Sequence, residues 1–582
     1  MTMINYSEKR KKLQADGEAP MWWTTGGTQL FYEKYSYKDE SPRTRYKKVA
    51  KAMAQHAPTE FPSWWDENPY WKGKTWVQAF FAAMWDGFIS PSTPLLGNGG
   101  LRHRGTTVAC AGGVVENNLA SRYEVITENA ILTKHSHGTS CSIDAWPHEG
   151  AALKRGGVSN GIMPIIRDLM EMTDEVVQGH RRGQLAYSLR PQHGDFKKVL
   201  DNLYMNPDSN NVGWLIDDQF VLGMSQLDKD CHEKFQKIMK VKMERGKGYF
   251  TFIDKMNRHL AYPFKRADMK VHASNLCQET CLPSDEDHTF SCVILNYNLE
   301  LWREWPEHLV VVGQVMSDCN ISEYIETIEE MKDHDWKVMQ KILRFTKKFR
   351  ALGSGVLGWH TLMQKERIIV GSIDCFYLDD DIFRGIRKDA ERANRWLAEV
   401  LGEPEGCVGL GMRNSTMMMM PPTKSTAEIM AGASEGIGLD TAMAFVTQSA
   451  GGEFFRVNKI LLELMKEKGL DIDEEVAKMV QTKGSVQDVE LFPWLTDHER
   501  AVFRTAFETS MEAFLKICAE RQKYIDQAQS INLYFTSNDS EKYISKIHRI
   551  AFEDERILSL YYIYSMRGSG NIIRDETCDM CQ

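Results

Sequence analysis

Ser274-Asn275-Leu276-Cys277-Gln278-Glu279 places an amide, a thiol and a carboxylate at alternate positions. In an extended segment, residues i, i+2 and i+4 share one face, so a single pocket would see all three. A carboxylate can take the proton of a hydroxyl while a sulfur acts on the carbon that bears it. The hexad therefore predicts chemistry on a hydroxyl-bearing carbon. The plainer reading is a buried, inert cysteine beside a solvated glutamate, and the flanking sequence must decide.

Downstream, Cys281 opens a turn-rich insert, and an apolar run, Phe290-Ser291-Cys292-Val293-Ile294-Leu295-Asn296, returns. Two short segments joined by a loop predict a hairpin presenting Cys277 beside Cys292. Upstream, Pro91-Ser92-Thr93-Pro94 leads through Gly97, Gly99 and Gly100 to a strand-like run, Val108 to Val115, with Cys110 among small residues. Small neighbours suit either access to the sulfur or tight packing. Two basic glycine loops follow. Lys154-Arg155-Gly156-Gly157 precedes a helix-like stretch and predicts a phosphate cradle at a helix N-terminus. Gly179-His180-Arg181-Arg182-Gly183-Gln184 precedes the strand-like Leu185 to Leu189. His135-Ser136-His137 lacks further ligands at metal spacing and reads as structural, so no metal site is expected.

Gly353-Ser354-Gly355-Val356-Leu357-Gly358 matches the dinucleotide fingerprint, but a basic helical stretch precedes it, which argues against a dehydrogenase site. Pro421-Pro422-Thr423-Lys424-Ser425-Thr426 follows four methionines and suits either an anion site or a simple helix cap. Tyr561 and Tyr562 adjoin in an apolar segment, and the chain ends in Cys578-Asp579-Met580-Cys581. A terminal CxxC is half a zinc site or a dithiol; the absence of a second CxxC favours the dithiol.

The totals agree with a large enzyme. Of 582 residues, 42% are hydrophobic and 26% charged, so disorder is excluded as a default. Twelve scattered cysteines form no secreted disulfide framework. A net charge of −9 favours a small anionic ligand over a polynucleotide. No run suits a membrane span or signal peptide, and a cytoplasmic location is expected. Seven of the fifteen tryptophans fall in residues 1–90, which predicts a mostly helical cap packed on a larger body.

Taken in order, these motifs resemble the catalytic subunit of a ribonucleotide reductase from about Pro91 to Gln582. The resemblance implies a ten-stranded α/β barrel over residues 91–567 with a central finger loop, a helical N-terminal cap over 1–90, and a flexible redox tail over 568–582. It implies that Cys277 becomes a thiyl radical abstracting the ribose 3′ hydrogen, with Glu279 deprotonating the 3′ hydroxyl and Asn275 bonding the sugar. Cys110 and Cys292 become the reducing dithiol, regenerated by Cys578 and Cys581 and then by a thioredoxin or glutaredoxin. By the same resemblance Tyr561 and Tyr562 would relay the radical from a separate metal-bearing small subunit, and this chain would carry no cofactor of its own.

Thr93 and Thr423 to Thr426 would hold the substrate phosphates. Asn117, Lys154, Arg155, Gly156, Arg181, Arg182 and Gln184 would bind a nucleoside triphosphate effector, coupled reciprocally to the substrate site, in a homodimer that binds neither nucleic acid nor membrane. Two departures stand out. Residues 1–90 lack the basic start of the family's frequent ATP cone, which resembles the reduced forms carried by viruses and would make the location the host cytoplasm. Ala109 stands where relatives often carry a hydroxyl, which puts one substrate contact in doubt. Rival readings are an adenosylcobalamin-dependent reductase and a non-catalytic nucleotide-binding regulator. A glycyl-radical form would need four zinc cysteines and more than Arg567-Gly568-Ser569-Gly570.

Overall fold

The computed structural model describes residues 4–178, 181–331, 334–449 and 452–566. The Cys578/Cys581 pair, and Gly179 and His180 of the second basic loop, lie outside the described residues. The tryptophan-rich start is helical. Helix α1 (Pro42–Ala54) begins at Ser41, whose hydroxyl accepts the Thr44 N–H, with proline in the first turn where a missing N–H costs nothing. Helix α2 (Trp76–Trp85) begins with a reciprocal cap between Thr75 and Gln78. The Trp65 ring lies 5.8 Å from Trp71 and 4.7 Å from Trp76, and Trp22 donates to the Trp85 carbonyl at 2.9 Å. These rings form core packing, not a base-stacking platform. Among the described residues no helix is long and apolar enough to cross a membrane.

Ten segments close a barrel. Strands β1 (Cys110–Val114), β2 (Gly138–Ser142), β3 (Leu185–Leu189), β4 (Val212–Ile216) and β5 (Tyr249–Phe252) lie side by side in parallel. Strands β6 (Phe290–Asn298) and β7 (Leu352–Leu357) form a second parallel pair. Two less regular segments carry the sheet onward: Met418 bridges to Ser354, and Met420 to Gln529, both in parallel. The Tyr561 N–H then donates to the Ile531 carbonyl at 2.8 Å, next to β8 (Ser559–Leu560). Two five-membered parallel halves thus meet at antiparallel seams, β1 with β6 and β5 with β8. Strands such as β4 and β5 are buried along their whole length, so they read as continuous apolar runs instead of alternating ones.

The fingerprint Gly353 to Leu357 is β7 itself. A Cβ on Gly355 would lie 2.4 Å from Pro421 Cδ and 2.9 Å from the Met419 carbonyl, and one on Gly353 would meet the Met419 side chain at 2.4 Å. These glycines allow the neighbouring stave to approach. Gly355→Ala is therefore expected to destabilise the protein by about 1–3 kcal/mol, measurable as a lowered denaturation midpoint. Gly112 on β1 obeys the same logic: its missing side chain makes room for the Phe290 ring, which a Cβ would meet at 2.2 Å. At Gly112 the small residues serve tight packing.

Three local expectations are corrected. The hexad is not extended: residues 276–278 form a turn, with Gln278 at φ +67°. No hairpin joins Cys277 to Cys292, because only the second lies on a strand and that strand pairs with β1, β7 and Ile89–Pro91. The Lys154 loop is the exposed tip of a hairpin between Glu149–Ala152 and Val158–Asn160, closed by Gly156 and Gly157 at positive φ. The helix beyond it already has an anion at its start, since the Asp195 carboxylate accepts the Ile162 and Glu149 N–H groups.

Candidate active site

The turn at 275–280 projects into the barrel and is held by staves from several sides. Asn275 Oδ1 accepts the N–H groups of Glu279 and Thr280 at 3.1 and 3.2 Å, while Thr280 Oγ1 accepts the Asn275 N–H at 2.9 Å. From β5, Thr251 Oγ1 donates to Gln278 Oε1 at 2.5 Å. From the 527–531 stave, the Ala528 N–H donates to the Glu279 carbonyl at 2.8 Å and Ser530 Oγ to the Cys277 carbonyl at 2.6 Å. From β8, Ser559 Oγ donates to the Gln278 carbonyl at 2.8 Å. With its backbone so fixed, the turn aims three buried side chains into one space.

Asn275 and Glu279 do converge, although by turn geometry and not by strand alternation. Asn275 Nδ2 donates to Glu279 Oε1 at 2.7 Å, and Ser530 Oγ lies 3.2 Å from Glu279 Oε2. Burial, and then the Cys110 sulfur beside it, hold the Glu279 carboxyl well above the ordinary 4.5. A carboxyl so raised is a better proton acceptor once ionised than one free in water. Asn275 Nδ2 also lies 3.5 Å from Cys110 Sγ, so one amide links the carboxyl to the β1 thiol.

Cys110 and Cys292 face each other across the β1/β6 seam. Facing residues in an antiparallel ladder have Cα atoms about 4.5 or 5.5 Å apart, and a disulfide spans either distance without moving the backbone. Burial, and then the contact with Cys110, push the Cys292 thiol well above 9.0. The Cys292 thiol donates to Met419 Sδ at 3.4 Å. Cys141, Cys281 and Cys518 are buried in other clusters, away from this space, and burial pushes their thiols up to about 12 as well.

Tyr561 Oη donates to Cys277 Sγ at 3.5 Å, and the Tyr561 and Tyr562 ring centroids are 3.9 Å apart. Tyr249 is a third phenol that sequence reasoning missed. It lies on β5, with its hydroxyl 3.2 Å from that of Tyr562 and 3.1 Å from Asn211 Oδ1, and Lys247 Nζ donates to the same Asn211 oxygen at 3.1 Å. Lys242, on helix α3 (Lys229–Arg245), is wholly buried and donates to the Tyr561 carbonyl at 2.8 Å; burial lowers its pKa to about 7. Ser530 and Met419 were also missed. They lie far from the hexad in sequence, in segments whose only signals were apolar or polar runs.

The other expected residues are placed as follows. Thr423 is the buried first residue before a short helix, Lys424–Ile429; its hydroxyl accepts the Gly436 N–H at 2.7 Å. Thr426 Oγ1 donates to the Thr423 carbonyl, and Ser425 is buried. Thr93 Oγ1 lies 3.1 Å from the Tyr35 hydroxyl, and beside it the Ser92 hydroxyl is buried with no protein partner. Both phosphate-loop candidates pack on the N-terminal segment 25–35. Asn117 is exposed just ahead of the helix Leu119–Lys134, as are Lys154, Arg155 and Gly156 on their hairpin. Arg181 and Arg182 form a strand against Val177–Gln178, and Gln184 is buried. His137 is spent on the Leu132 carbonyl and the Tyr324 hydroxyl, and His135 on Asp335, so the pair is structural. Among the described residues one His/Glu group, His56, Glu323 and Glu326, comes together, and Arg102 already pairs with both carboxylates.

Comparison with known proteins bears on the family and the fold. The family described as "Ribonucleotide reductase, barrel domain" matches residues 223–406 and 405–563, and "Ribonucleotide reductase, all-alpha domain" matches 22–104. The ribonucleoside-diphosphate reductase large subunit of Invertebrate iridescent virus 3 is 28% identical over 60% of this chain and 56% of its own length. The alpha subunit from Chlamydia trachomatis is 24% identical over 93% of this chain and 58% of its own. The chain thus spans little more than half the length of these curated relatives. The alpha subunit of a class Id ribonucleotide reductase from Actinobacillus ureae superposes with a TM-score of 0.84 at 28% identity, covering 94% of this chain and 98% of that one. With a family match over more than half its residues, this chain belongs to the ribonucleotide reductase family.

Proposed function

We propose that the protein is the catalytic subunit of a ribonucleotide reductase, converting ribonucleotides to 2′-deoxyribonucleotides by thiyl-radical chemistry. The observation that carries this reading is the placement of Cys277, with a phenol on one side and, across the same buried space, a carboxyl and a cross-strand thiol pair. Cys277, oxidised through Tyr561 and Tyr562, abstracts the 3′ hydrogen. Glu279 takes the 3′ hydroxyl proton, and Asn275 holds Glu279 in place with its second N–H directed toward Cys110. Cys110 and Cys292 supply two electrons as the 2′ hydroxyl leaves as water, and close to a disulfide. Cys578 and Cys581 then reduce that disulfide by exchange, and a thioredoxin or glutaredoxin reduces them in turn.

Thr93 and Thr423 to Thr426 hold the substrate phosphates, and the Asn117, Lys154 and Arg181 regions hold the effector of a homodimer. The division into a cap at 1–90, a barrel at 91–567 and a tail at 568–582 belongs to the same reading, as do a cytoplasmic setting and a metal-bearing small subunit as radical source. The likeness to the alpha subunit of the Actinobacillus ureae enzyme supports a separate subunit as that source. The test is a reduction assay with and without a small subunit, across nucleotide effectors. Product should require the second protein; turnover by this chain alone with adenosylcobalamin would overturn the choice of radical source.

A further inference from the structure

Aromatic contacts do not stop at the Tyr561/Tyr562 pair. The Tyr562 and Tyr564 ring centroids are 5.9 Å apart, and Tyr564 stacks on Tyr534 at 5.2 Å with an 11° angle between planes. The stacking follows from register. Leu533–Thr536 pairs in parallel with Ile563–Met566, and Tyr534 stands opposite Tyr564, so their side chains leave the same face. Exposure also changes along the series. Tyr561 is 1% exposed and Tyr562 6%, whereas Tyr564 is only part-buried. A line of phenols thus runs from Cys277 to the surface. Tyr249 touches both inner rings, but it is wholly buried and tied to Asn211, so it leads nowhere outward.

We propose that Tyr564 is the entry phenol of a three-tyrosine radical route, Tyr564 to Tyr562 to Tyr561 to Cys277. The proposal rests on the ribonucleotide reductase reading and adds the residue that meets the partner's oxidant. In the first step, one electron leaves Tyr564 for the oxidised centre of the small subunit, and the phenolic proton leaves for water at the part-exposed ring. The Tyr564 radical then takes one electron and one proton from Tyr562, which restores the Tyr564 phenol and leaves the radical on Tyr562. Repeating the exchange with Tyr561 and then the Cys277 S–H delivers the radical to sulfur. Each hop moves one hydrogen equivalent outward, and the reverse sequence returns it after product forms. Rate favours this order because electron transfer falls steeply with distance and each pair of rings is in contact.

The experiment uses the full-length chain with the small subunit that supports wild-type turnover. Tyr564→Phe keeps the ring and its stacking on Tyr534 but cannot lose a phenolic proton, and is expected to lose turnover to background, as is the control Tyr562→Phe. Replacing Tyr564 by 3-aminotyrosine, which is easier to oxidise, should give an aminotyrosyl radical by electron paramagnetic resonance when small subunit, substrate and effector are mixed. Full activity of Tyr564→Phe beside an inactive Tyr562→Phe would overturn the proposal and leave the parent reading standing. Inactive Tyr564→Phe with a radical at aminotyrosine 562 but none at 564 would overturn it too, showing a docking role only. A wild-type chain that makes no deoxynucleotide with any small subunit would overturn the parent reading, and this proposal with it.

Discussion

Cys277→Ser is expected to abolish deoxynucleotide formation completely while nucleotide binding persists. Serine differs by one atom and its hydroxyl can still accept the Tyr561 O–H, so the turn, held by Asn275, Thr251, Ser530 and Ser559, stays in place. What is lost is the weak S–H bond in contact with the Tyr561 phenol, which a phenoxyl radical there can oxidise and whose sulfur can in turn attack a strong C–H bond. Product assay and calorimetric titration with nucleotide on the same preparation check both halves. Undiminished turnover would assign the hydrogen abstraction to a residue other than Cys277; lost binding would make Cys277 structural.

Glu279→Gln is expected to separate activity from stability. Removal of a general base lowers turnover by about 10²–10⁴-fold. Stability should move the other way. Burial and the Cys110 sulfur raise the folded-state pKa of Glu279 above its ordinary 4.5, so the folded protein binds the proton more tightly than the unfolded chain. The stability that Glu279 contributes is therefore fully present below about pH 4.5, the unfolded value, and is lost as pH rises toward the folded one. A neutral amide escapes this loss. The melting temperature of Glu279→Gln should match wild type in acid and exceed it increasingly as pH rises above 4.5. Equal or lower melting temperatures across that range would mean that the carboxyl is compensated by groups other than Asn275 and Ser530.

Part of this was legible in the chain. Cys110, Cys292 and Leu185 to Leu189 announce strands because staves buried on both faces are continuous apolar runs, and Tyr561 and Tyr562 stand out as adjacent phenols. The three side chains of the hexad do come together, but through a turn and not through strand alternation. Alternation would place Asn275, Cys277 and Glu279 on one face, whereas a left-handed Gln278 folds them together, and no local pattern distinguishes these cases where a glycine does not mark the turn. The Lys154 loop was misplaced for a related reason: glycines mark turns but do not say whether a helix or a second strand follows, and here the helix start was already taken by Asp195. Tyr249, Ser530 and Met419 were invisible because their meaning comes from register across the barrel, which local spacing does not encode.

The seat of the turn has a consequence for the order in which the protein is made. Residues 275–280 rest on Thr251, already present, but also on Ser530 and Ser559, which lie 253 and 281 positions beyond their partners. A ribosome adding about 5–20 residues per second therefore spends more than ten seconds with the Cys277 turn unseated. Contacts of such long sequence separation form late and slowly. The chain thus acquires its most reactive site as one of the last acts of folding, when the barrel that encloses it is nearly complete.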